Sequence, residues 1–154
     1  MKDPKIYIPE SPATKAPGND FHWNLGNDLV HATMTQFTRE RPLPGMDDWL
    51  FYGSTGSIVD NTFFAFQFTV PYQGEELLER TYKQGDGAGL FSFHIYSPPS
   101  PPYHYYSVGA DEAELSIRLD PASGTVRGDF IAKYTRDGIQ LKPTGVFNLK
   151  RDAR

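Results

Sequence analysis

From residue 28 onward, apolar and polar residues alternate along much of the chain. Val30, Ala32 and Met34 interleave with His31, Thr33 and Thr35, the two-residue period of a strand with one buried face. A loop containing Pro42, Pro44 and Gly45 leads to Trp49-Leu50-Phe51-Tyr52. From Thr62 to Val70 the pattern changes in kind. Phe64, Phe66, Phe68 and Val70 share one face, while Phe63, Ala65, Gln67 and Thr69 share the other. Apolar groups on both faces predict a strand covered on both sides, or one facing a cavity. One stretch, Glu75 to Lys83, has helical spacing instead. Leu77, Leu78, Thr81 and Tyr82 fall on one side, and Glu75 and Glu76 suit a helix N-terminus. At most one short helix (75–83) is therefore expected.

The C-terminal third predicts its own register. Asp137-Gly138 between Arg136 and Ile139 is a two-residue hairpin signal. Pairing Arg136 with Ile139 sets Tyr134 against Leu141, Phe130 against Gly145, Gly128 against Phe147 and Val126 against Leu149. Twice a Phe then covers a bare strand glycine. Upstream, Asp120-Pro121-Ala122-Ser123 reads as a type I turn. Pairing Leu119 with Gly124 there sets Ile117 against Val126 and Leu115 against Gly128. Residues 113–150 thus form a three-stranded meander, with Glu114, Ser116, Arg118, Arg127, Asp129, Lys133, Gln140 and Lys142 on its wet face.

These elements predict an all-β fold, an antiparallel β-sandwich or a small up-and-down β-barrel of about eight strands. Periodicity does not separate the two, because each has one wet and one buried face per strand. Residues 1–20, with Pro4, Pro9, Pro12 and Pro17, read as an extended Pro-rich arm. Residues 21–154 read as a single antiparallel β domain. Composition agrees: aromatics reach 14%, beside 14 Gly and 13 Pro, a mixture that favours strands and tight turns.

Charge narrows the partners. The net charge of −4 argues against a general nucleic-acid binder. Residues 118–154 hold 8 basic against 4 acidic groups, an excess that the meander's wet face mostly explains. With no cysteine, neither disulfides nor thiol chemistry are available. No apolar run approaches the roughly 20 residues of a spanning helix, so no membrane span is expected. The charged start Met1-Lys2-Asp3-Pro4-Lys5 lacks the apolar core of a signal peptide, which makes the cytoplasm the expected location.

The most distinctive local feature is the hairpin at 89–108, whose connection is Ser97-Pro98-Pro99-Ser100-Pro101-Pro102. Pairing Tyr96 with Tyr103 places Ser92, His94, Tyr96, Tyr103, Tyr105 and Ser107 on one face. Phe91, Phe93, Ile95, His104, Tyr106 and Val108 take the other. The first face combines phenols, an imidazole and rings, and could stack on a planar ligand while hydrogen-bonding its rim. The plainer alternative is an ordinary sheet face covered by loops, since Tyr is a common strand residue. The histidines His22, His31, His94 and His104 show no metal-ligand spacing, so no metal and no cofactor are expected. Gly85-Asp86-Gly87-Ala88-Gly89 precedes a strand rather than a helix and reads as a turn, not a phosphate loop.

The leading functional expectation is a non-enzymatic binding or interaction domain. Ser92, His94, Tyr96, Tyr103 and Tyr105, with the Pro-rich loop, would contact a small molecule or a protein. The competing expectation is a small barrel that binds an apolar molecule or isomerises or cyclises it in an aromatic cavity, with His94 and Tyr96 or Tyr105 as acid and base. A third is a homo-oligomer in which the arm adds to a neighbour's sheet.

Overall fold

The computed structural model describes residues 18–41, 43–97 and 105–152. Most of the 1–20 arm, the Pro-rich connection, Tyr103 and His104 lie outside the described residues. The described chain is all-β, with two antiparallel sheets packed as a sandwich and no closed barrel. Of the two architectures compatible with the alternation, the sandwich is the one formed.

The first sheet contains β1 (Asp20–Leu25), β2 (Asp28–His31), β6 (Leu78–Lys83), β9 (Glu112–Asp120), β10 (Thr125–Arg136) and β12 (Thr144–Lys150), in the order β2-β1-β12-β10-β9-β6. The short strand β11 (Ile139–Leu141) pairs with the far end of β10. The second sheet contains β3 (Met34–Glu40), β4 (Asp48–Thr55), β5 (Phe64–Pro71), β7 (Phe91–Tyr96) and β8 (Tyr106–Gly109), in the order β3-β4-β5-β7-β8.

Where turn chemistry is tight, the register follows the sequence. Arg136 pairs with Ile139 and Tyr134 with Leu141; farther along, Phe130 meets Gly145, Gly128 meets Phe147 and Val126 meets Leu149. The β9–β10 connection corrects the expected pairing by two residues. Leu119 faces Val126, Ile117 faces Gly128 and Leu115 faces Phe130. Gly124 adopts φ of 70° and its N–H donates to the Asp120 carbonyl at 2.9 Å, so it belongs to the loop and not to the ladder. A two-residue slip preserves the face, and the apolar set still points inward.

Residues 75–83 correct the helix expectation. Leu78–Lys83 is strand β6, paired to β9 with Tyr82 opposite Leu115. Its burial fits a half-wet edge strand, with Tyr82 fully buried and its neighbours Thr81 and Lys83 exposed. The helical spacing of Leu77, Leu78, Thr81 and Tyr82 is coincidental.

Between the sheets lies a core built largely of rings. Phe51 stacks on Phe147 at 5.3 Å, and Phe68 meets Phe130 at 4.6 Å. Each such ring removes roughly 1.5–3 kcal/mol worth of apolar surface from water. The second sheet is buried on its other face as well, where Leu50, Tyr52, Phe63, Ala65 and Ile95 form a separate cluster. The strand covered on both sides is therefore β5, as its two apolar faces imply.

Candidate functional site

Strand alternation sends Ser92, His94 and Tyr96 of β7 into the sandwich and leaves Phe91 at its surface. The β7–β8 ladder corrects the expected hairpin register. Tyr96 pairs with Tyr106 and His94 with Val108, three residues away from the pairing with Tyr103. An odd slip reverses faces. Tyr106 and Val108 thus join the His94 face, and Tyr105 does not. Tyr105 and Tyr106 are 43% and 47% exposed at the sheet edge. The connection between the paired residues Tyr96 and Tyr106 is residues 97–105, longer than the expected 97–102, and the register moves with it.

His94 is fully buried, and both its nitrogens are engaged. Nδ1 donates to the Ala65 carbonyl at 2.9 Å, and Nε2 accepts from Arg136 Nη1 at 2.9 Å. One neutral tautomer satisfies both bonds. Burial lowers the imidazole pKa to about 4, and the Arg136 charge acts in the same direction. The Tyr96 ring stacks on His94 at 5.1 Å, and the Arg136 guanidinium lies 3.8 Å over that ring. Ser92 Oγ and the Tyr134 hydroxyl form a buried hydrogen bond, and burial pushes the Tyr134 phenol pKa upward. Three of the five expected residues thus gather with Tyr134 and Arg136 of β10, which the sequence reading did not place there. This is a packed polar seam between sheets. An imidazole whose lone pair already accepts from a guanidinium is not poised to take a proton from substrate.

An open site lies at the other end of the same hairpin. A cleft of about 400 Å³ runs between the turn after β6 and the facing ends of β7 and β8, lined by Gln84, Gly85, Gly87, Gly89, Leu90, Phe91, Phe93, Gly109 and Ala110, among others. Gly85, Gly87 and Gly89 all hold left-handed φ between 84° and 88°, and a side chain at Gly85 or Gly87 would meet only open space. Asp86 organises the turn by accepting from the Lys83 and Ala88 amides at 3.0 and 2.8 Å. These bonds hold its carboxyl below the usual range. Gln84 Nε2 donates to the Ala110 carbonyl at 2.6 Å and ties the turn to the connection between β8 and β9.

The structure also brings together histidines that are nine positions apart in sequence. Gly26-Asn27 closes a two-residue hairpin between β1 and β2, with Gly26 at φ 61°. His22 therefore faces His31. Asp20 Oδ2 lies 2.8 Å from His22 Nδ1, and Oδ1 lies 3.2 Å from His31 Nδ1. Counting outward from the Gly-Asn turn would have revealed this pairing. Two acidic side chains elsewhere are already engaged: Asp47 receives two bonds from Arg39 at 2.8 and 2.6 Å, and Glu112 pairs with Lys133 at 3.0 Å.

Fold and site thus define an antiparallel aromatic-cored β-sandwich with an open cleft at one hairpin end. No family model, curated protein or solved structure matches the chain. Among the described residues, no helix is long and apolar enough to cross a membrane.

Proposed function

We propose that this protein is a non-catalytic binding domain and that the β7–β8 hairpin makes the contact through the cleft at its open end. The observation that carries the reading is the cleft itself. Its volume of about 400 Å³ falls in the range of small-molecule sites, which are concave and mostly apolar with a few polar groups. Phe91, Leu90 and Phe93 supply the apolar surface, and the glycines let an occupant approach backbone amides closely. An aromatic or apolar group of modest size is the occupant this chemistry fits. Catalysis around His94 draws less support, because its two nitrogens and the Tyr96 ring are committed to Ala65, Arg136 and each other.

Indole, used as a flat apolar probe, should shift the backbone amide signals of Gly85, Gly87, Gly89 and Gly109 in an NMR titration. Phe91→Ala should weaken that binding by roughly 10-fold, the equivalent of about 1.4 kcal/mol. Its melting temperature should fall by only a few degrees, because Phe91 is partly exposed, at 39%, and lies outside the core. Shifts scattered away from the cleft, or unchanged affinity in the variant, would overturn the reading.

A further inference from the structure

Asp20, His22 and His31 lie on the same face of the β1–β2 hairpin, away from the cleft. His22 and Asp20 are two apart on β1, and His31 stands opposite His22 on the edge strand β2. The two imidazole centroids are 5.1 Å apart. One donor atom from each of the three residues lies within 4.8 Å of the other two. In a tetrahedral zinc site with bonds of about 2.0–2.2 Å, neighbouring donors stand about 3.3–3.6 Å apart. The two Asp–His separations, 2.8 and 3.2 Å, are hydrogen-bond distances, so the donors stand slightly closer than an ion between them would hold them. Bringing the set around an ion needs a small rotation of side chains that are 25%, 57% and 38% exposed for His22, His31 and Asp20. Such groups turn at little cost.

We propose that Asp20, His22 and His31 form a binding site for one late first-row divalent transition ion, of which Zn²⁺ is the representative. Two imidazole nitrogens and one carboxylate select such ions over Mg²⁺ and Ca²⁺, which prefer all-oxygen shells. A carboxylate accepts only, so both Nδ1 atoms now carry their protons toward Asp20. Binding the ion takes each neutral imidazole to the tautomer protonated at Nε2, the proton exchanging from Nδ1 through solvent, and so frees the Nδ1 lone pair to coordinate. Water completes the shell, because the hairpin face is open. The ion also joins β1 to β2, a four-residue strand with mostly exposed side chains, and so fastens an edge that packing secures weakly. The site requires nothing of the cleft, and the two proposals stand or fall separately.

Isothermal titration of the full chain with ZnCl₂ tests the assignment, with MgCl₂ as the comparison. One Zn²⁺ per chain should bind and Mg²⁺ should not. His31→Ala and Asp20→Asn should each weaken Zn²⁺ binding by roughly 10-fold or more. Added Zn²⁺ should raise the melting temperature of the parent protein and not of the variants. His31 is exposed and Asp20 half-buried on an edge hairpin outside the core, so the metal-free variants should keep the parent circular dichroism spectrum. In the parent, Zn²⁺ should move the imidazole signals of His22 and His31 and leave the buried His94 unchanged. Failure to bind Zn²⁺, or equal affinity in parent and variants, would overturn the proposal.

Discussion

His94 shows how one residue can satisfy a sequence expectation in identity and depart from it in role. An imidazole among tyrosines suggests ligand chemistry; the same imidazole between Ala65 and Arg136 is held neutral by its surroundings. That difference was not legible, because Arg136 arrives from 42 positions away and nothing local announces it. The consequence is a pH dependence with a definite sign. Burial lowers the folded pKa from 6.5 to about 4, so between these values the unfolded chain binds a proton that the folded chain refuses. The stability conferred by neutral His94 is complete above about pH 6.5 and is lost as pH falls toward 4, by about 3 kcal/mol in all. Urea denaturation at pH 7 and pH 4.5 should show a larger loss in the parent than in His94→Gln. Carboxylates such as Asp47 are common to both proteins and cancel in the comparison. Equal losses would remove His94 as the source.

Among the elements, legibility tracked the constraint at each turn. Asp137-Gly138 admits one register, and the ladder from Arg136 to Val126 follows from it. Asp120 to Gly124 left two choices of the same parity, so the faces were readable and the pairing was not. The proline connection after Tyr96 fixed neither, and β6 was too short and too wet to distinguish two periods. The glycine–phenylalanine pairs are the sharpest success, and they carry a steric prediction. A Cβ at Gly128 would lie 2.3 Å from Phe147 Cζ, and one at Gly145 would lie 2.4 Å from Phe130 Cζ and 2.6 Å from the His22 carbonyl oxygen. Neither glycine has positive φ, so the penalty is crowding and not backbone strain. Gly128→Ala should cost roughly 1–3 kcal/mol in chemical denaturation. Gly145→Ala should cost more, because a backbone atom yields less readily than a ring. A Gly128→Ala protein as stable as the parent would mean that Phe147 has another place to go.

Across the whole molecule, the two sheets differ in what their outer faces meet. The first sheet is wet outside: Glu114, Arg118, Arg127 and Asp129 are exposed, as the alternation of the meander requires. The second carries a packed cluster on its outer face, where Leu50, Tyr52, Ala65 and Ile95 have at most 1% exposure. Composition hinted at this through the double-sided apolar run of β5, yet it could not say which sheet would be covered. Two isoleucines on the two outer faces make a direct comparison, since Ile95 is fully buried and Ile131 on β10 is 60% exposed. Truncating a buried isoleucine leaves a cavity and forfeits its transfer energy, together about 2–5 kcal/mol, whereas an exposed one forfeits little. Ile95→Ala should therefore lower stability by at least 2 kcal/mol or so, and Ile131→Ala should fall within about 0.5 kcal/mol of the parent. Urea denaturation of both variants decides it. Similar small losses would show that the outer face of the second sheet is open to water, and would leave the sandwich with one core instead of two.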